Sequence, residues 1–184
     1  MNNNLASRVS WDEFQRRKDY ARKEILTHAA ARVLHDSPSR YTLDLKLLPV
    51  LNAWDDIPFS FTVFSCSGIP QEHNETNYSP VNGLQGNPHA LIHAHSYTAH
   101  PLFLRFNNFL EKSLEGKGDV HRSGPMKGEY YSGIFLHVIH IDVPKVTQDN
   151  ADLDYLTNLW NDFHLRLVDF NIKHKHHRDW NYGI

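Results

Sequence analysis

The chain has 184 residues, 40% hydrophobic and 22% charged, with a formal net charge of -2. That profile excludes a globally basic nucleic-acid binder and leaves any cationic surface to be local, and the length fits one well-cored domain over 1–184 better than two. A single cysteine, Cys66, excludes an internal disulfide; the polar start Met1-Asn2-Asn3-Asn4 and the lack of any apolar run near the ~20 residues of a bilayer span predict a cytoplasmic protein with no membrane partner.

Ser10 followed by Glu13 fits a capping box. Apolar residues at Phe14, Ala21, Ile25, Ala29 and Val33 then predict an amphipathic helix over about 11–35. Its outer face is read as carrying Arg16, Arg17, Lys18, Arg22 and Lys23, either a solvated face or a patch that contacts phosphates. After Ser37-Pro38-Ser39 the alternation of Tyr41, Leu43 and Leu45 predicts a strand, and Pro49 with Trp54-Asp55-Asp56-Ile57-Pro58 predicts a connector. Phe59, Phe61 and Val63 alternate with Ser60 and Thr62 as a second strand. The stretch 65–88 is rich in Gly, Pro, Asn and Ser and reads as a long loop, a lid or a partner-binding surface, with Glu72, His73 and Glu75 as further polar residues.

Four histidines fall within twelve residues from His89 to His100. Side chains alternate along a strand, so His89, Leu91, His93, His95 and Tyr97 share one face while Ala90, Ile92, Ala94 and Ser96 share the other. Pro101 suits the start of a helix with Leu102, Phe106, Leu110 and Leu114 at helical spacing. Gly116 to Gly128, with Lys117, His121, Arg122 and Lys127, reads as a basic loop. The apolar run 130–143 predicts a central strand in which His140 and Asp142 face one way and His137 the other. Asn150 or Asp152 caps a last helix with a stripe of Leu156, Trp160, Phe163, Leu167 and Phe170, and 171–184 reads as a basic and aromatic tail. The order predicts an α+β domain, mainly an antiparallel sheet with helices packed on one side.

Two histidines on one strand face chelate a single ion, and a third or fourth ligand must come from elsewhere. His93, His95, His140 and Asp142 form the candidate set for a divalent ion, Mn, Mg or Zn, that polarises a phosphate or activates water. The chain holds fourteen histidines, so the competing reading is that these are hydrogen-bonded core residues. Phe59-Ser60-Phe61-Thr62-Val63-Phe64, then His93-Ala94-His95, then Tyr155 near the start of the last helix, resemble in order the layout of HUH-type single-strand endonucleases, the rolling-circle initiators and relaxases. That resemblance implies a DNA-binding nuclease in which His93 and His95 hold the metal and Tyr155 attacks the phosphodiester of single-stranded nucleic acid. The rival expectation is a non-catalytic regulator or inhibitor that binds a protein partner, or nucleic acid, through the 65–88 loop and the C-terminal tail with Trp180 and Tyr182.

Overall fold

The computed structural model describes residues 9–34, 45–66, 89–115, 119–123, 133–142 and 150–182. The first helix, α1 (Trp11–Leu34), begins where the capping box predicts: the Glu13 backbone N–H donates to Ser10 Oγ at 3.2 Å. The proposed strand around Tyr41 lies largely outside the described residues, and its end, Leu45–Leu47, is a 3-10 turn. The expected connector is instead a helix, α2 (Leu48–Asp55), with Pro49 in its first turn. Proline is tolerated there because the first N–H groups of a helix have no partner within it.

Four strands, β1 (Ser60–Cys66), β2 (His89–Tyr97), β3 (Asp119–Ser123) and β4 (Ile134–Asp142), form one sheet in the order β1-β2-β4-β3. Every pairing is antiparallel. Two more helices complete the described architecture, α3 (Phe103–Leu114) and α4 (Asn150–His174). The α+β antiparallel arrangement is as the sequence predicts. β3, however, lies inside the stretch read as a basic loop. The 65–88 loop, with Glu72, His73 and Glu75, lies outside the described residues beyond Cys66.

The main core joins Trp54 and Leu51 of α2, Phe106 and Leu110 of α3, and Trp160, Phe163 and Leu167 of α4 to Ile92, Ala94 and Ile139 of the sheet. α2, α3 and α4 therefore cover one face. α1 packs from the other: Phe14 sits 5.2 Å from Phe61 and 5.4 Å from Tyr97, in a second cluster with Val9 and Ile134. Phe61, Tyr97 and Ile134 belong to the face that carries His93 and His95, because Phe61 pairs with His95 and Tyr97 with Ile134. A bulge between Thr62 and Phe64 leaves Val63 out of register and exposed.

Lys18 is buried and does not belong to the outer cationic face. Its Nζ donates to the carbonyls of Asp55, Ile57 and Ser60. These carbonyls lie at the end of α2 and the entrance to β1, and that of Ile57 also accepts from the Ser60 N–H, so one ammonium ties three elements together. The remaining cations are partly neutralised: Arg16 and Arg17 pair with Glu13, and Arg22 with Asp55 at 3.1 Å.

The end of the chain is folded back rather than free. After α4 a series of turns carries Trp180 into the main core, where it is 8% exposed and meets Phe59 and Phe170. Tyr182 lies edge-on to His100. His100 is sandwiched between Phe59 at 4.0 Å and Trp11 at 5.8 Å, and its Nδ1 accepts from the Leu102 N–H. Nε2 then carries the proton in a buried position beside the Asp179–Trp180 backbone, with no hydrogen bond of ordinary geometry among the described residues. Burial pulls its pKa down to about 4, partly opposed by the Asp179–Trp180 backbone and the Asp179 charge.

An acid dependence of stability follows. With a folded pKa of about 4 and an unfolded value of 6.5, the unfolded chain binds more protons between those limits. Stability is full above pH 6.5 and falls as pH drops toward 4, by about 2 kcal/mol from His100 after allowance for screening. His93, His95 and His174 are shifted the same way. Urea denaturation of His100→Phe at several pH values is expected to show a shallower fall than the parent over that window; an unchanged slope would remove His100 from the account.

Candidate functional site

The two faces of β2 have different chemistry because its sequence alternates. On the helix side Ile92, Ala94 and Ser96 are fully buried. Small Ala94 and Ser96 leave room for a polar network beneath the histidine strand. Trp54 Nε1–H donates to Ser60 Oγ at 2.7 Å, Ser96 Oγ donates to Ser60 Oγ at 2.8 Å, and Ser60 Oγ donates to the His95 carbonyl at 3.0 Å. His137 Nε2 lies 2.9 Å from Ser96 Oγ. A serine beside a histidine looks like a nucleophile with its base, but these side chains are sealed under the helices, with His137 1% exposed. Their effect is structural: the network locks β1, β2 and β4 to α2, and so fixes which side chains β2 presents on its other face.

That other face holds the candidate ligands. The register sets His95 opposite Leu136, His93 opposite Val138, Leu91 opposite His140, and His89 opposite Asp142. The expected parity is therefore borne out: all four proposed ligands occupy one face. They do not converge on one point. His95 and His140 are offset by four residues along paired strands, as are His93 and Asp142, which separates each pair by about 13 Å along the strand direction. Only His93 with His95, His93 with His140, and His140 with Asp142 are neighbours. The side chains of His140 and Asp142 lie outside the described residues, so their place is that of their backbone register. Among the described residues, no group of three or more His, Cys, Asp or Glu is arranged to hold a metal.

His93 and His95 are both half-buried. Burial lowers the pKa of His93; burial first, then Arg17 and His93, lowers that of His95. Both imidazoles are neutral at physiological pH, which is the form that binds metals. Phe61 meets the His95 ring edge-on at 5.5 Å, and α1 closes this end of the face.

Tyr155 is not brought to the histidines. It is 42% exposed on α4, whose apolar stripe packs against the face of Ile92 and Ala94, opposite His93 and His95. The sheet thus stands between the two elements that the resemblance unites.

Sequence reasoning overlooked β3. Its Asp119 pairs with His140, His121 with Val138, and Ser123 with Leu136, so these three join the histidine face by register. The signal was present as the alternation Asp119, His121, Ser123 against Val120 and Arg122, hidden between glycine-rich flanks. Among the described residues, no helix is long and apolar enough to cross a membrane. In comparisons with protein-family models, curated proteins and solved structures, the chain matches none.

Proposed function

We propose that this protein is a metal-dependent enzyme that cleaves or transfers phosphodiester bonds in nucleic acid, with a divalent ion on the histidine face of the sheet. The observation that carries the reading is the register: His93, His95 and His140 share one face of two central paired strands, next to the end that α1 covers. Neutral imidazoles there hold Zn or Mn, and an ion with an open position lowers the pKa of bound water and polarises a phosphate oxygen. Arg17, close enough to depress the His95 pKa, adds positive charge for a phosphate.

The nucleophile in this reading is metal-bound water rather than Tyr155, since α4 lies behind the sheet. Trp180 is part of the core, so the tail offers no exposed tryptophan anchor for a protein partner. The test is cleavage of a labelled single-stranded oligonucleotide with Mn²⁺ or Zn²⁺. Cleavage that EDTA stops, that His93→Gln reduces at least about 100-fold and that Tyr155→Phe leaves within about threefold supports the reading. Absence of metal-dependent cleavage, or its loss in Tyr155→Phe, overturns it.

A further inference from the structure

We propose that the cations gathered at the C-terminal end of α4, together with Arg105 of α3 and the ring of Tyr182, form a surface that holds the backbone and bases of single-stranded nucleic acid, apart from the histidine face and without metal. Its assignment to nucleic acid rests on the proposed function, to which it adds the place where a strand is held.

Lys173, Lys175 and Arg178 are exposed, the Arg178 side chain by 90%. Their backbone is held in place. Successive turns run from the Lys175 N–H on the Asn171 carbonyl, through the His177 and Trp180 N–H groups, to the Tyr182 N–H on the Asp179 carbonyl, and Trp180 is seated in the core. Arg105 joins them from another helix: after burial it is the largest influence lowering the pKa of His174, ahead of Lys173 and His177, while His174 packs on Phe170 at 4.4 Å. Cations in the last turn of a helix complement its dipole. That accounts for Lys173, but not for Arg105 on α3 or for Arg178, which the turns carry past the helix end. Asp169 and Asp179 oppose the cluster, Asp179 lying 3.5 Å from His177 Nδ1 and 3.6 Å from Arg178 Nε. The fixed cations outnumber these carboxylates, so the surface stays cationic.

Tyr182 selects the kind of polyanion. It is 47% exposed, and its ring is set edge-on to His100 at 5.8 Å. Cations that track a phosphate backbone beside an aromatic ring on which a base stacks are the means by which single strands are held without sequence preference. An acidic peptide presents no base to stack. The surface also adjoins the candidate centre: His100 stacks on Trp11, and Trp11 meets Tyr97 of the histidine face at 5.3 Å. A strand held at Tyr182 reaches round that end of the sheet toward His95, two residues before Tyr97 on β2.

Fluorescence anisotropy of a labelled oligothymidylate with the whole chain in EDTA reads this surface alone. Lys173→Gln, Lys175→Gln and Arg178→Gln combined are expected to weaken binding at low salt at least about 30-fold and to reduce the slope of log affinity against log salt by about 2, since each phosphate contact on a single strand contributes about 0.7. Arg105→Gln alone reduces the slope by about 0.7. Tyr182→Leu weakens binding about 5–50-fold with the slope unchanged, and Tyr182→Phe restores it. The substituted cations are exposed, so an unchanged Tm separates lost contacts from lost structure. No binding in EDTA, or binding that Arg16→Gln with Lys23→Gln on α1 removes while the α3 and tail substitutions do not, overturns the proposal. So does equal affinity for polyglutamate with Tyr182→Leu without effect, which would assign the surface to an acidic protein partner. Binding without metal-dependent cleavage leaves the surface standing and overturns the enzyme, whereas metal-dependent cleavage with an unchanged KM in the triple variant overturns the surface and leaves the enzyme standing.

Discussion

Replacing Lys18 by methionine is expected to lower the free energy of unfolding by about 3–5 kcal/mol, the size of effect seen when one partner of a buried charge arrangement is removed. The methionine fills the space of the alkyl chain but donates to none of the three carbonyls that Lys18 serves. Asp55 and Ser60 would each keep a polar oxygen without its ammonium donor, and Ile57 would keep only the Ser60 N–H. Asp55 would also lose the ammonium 3.8 Å from its carboxylate and, among the described residues, keep the exposed Arg22. Burial draws the Lys18 pKa down to about 8 against the pull of Asp55, so the group is still cationic at neutral pH and its hydrogen bonds are charge-assisted. The midpoint of urea denaturation at pH 7 reads this directly. A shift of less than about 1 kcal/mol would mean that water replaces the ammonium, and that α1 is not fastened to α2 and β1 by this residue.

Removal of residues 175–184 is expected to destabilise the domain by a similar amount, about 3–5 kcal/mol, chiefly through loss of Trp180. That side chain covers Phe59 and Phe170, and its departure with Tyr182 opens His100 to solvent. The single substitution Trp180→Ala is expected to account for most of the loss. This reverses the expectation from sequence that the tail is a detachable contact surface. Thermal unfolding of the truncated chain tests it, and an unchanged Tm would return the tail to the role of a free arm.

The parts of the fold written in local patterns were legible. Ser10 and Glu13 announced α1, and alternation gave the faces of β2 and β4 correctly, because both signals depend on residues within a few positions of each other. α2 was hidden because Pro49 was read as an interruption, although a proline in a first turn favours a helix start. Lys18 looked like one more cation on a charged face; only the approach of the α2 end shows why a lysine is buried there. Trp180 followed a run of basic residues and looked exposed for the same reason, since its partners Phe59 and Phe170 are distant or on another face of the chain.

The candidate site divides in the same way. The pair His93 and His95 was visible as a spacing, and the shared face of His140 followed from parity. Which of them are neighbours was not visible, because that depends on the register of β2 against β4, set by the core contacts of Ile92, Ala94 and Ile139 and by the buried Ser60–Ser96–His137 network. Tyr155 was legible as a residue flanking a helix stripe, but the side of the sheet on which that helix packs was not. Asp119 and His121 needed the edge strand itself.

The central claim is that the histidine face binds one divalent ion, and elemental analysis tests it without reference to substrate. The chain carrying His176→Gln and His177→Gln, which removes these tail histidines as adventitious chelators, is equilibrated with Zn²⁺ and freed of excess metal by dialysis; it is predicted to retain one ion per chain and to lose it on His93→Gln. A chain that retains no ion, or one that holds it equally well after His93→Gln, would contradict the account.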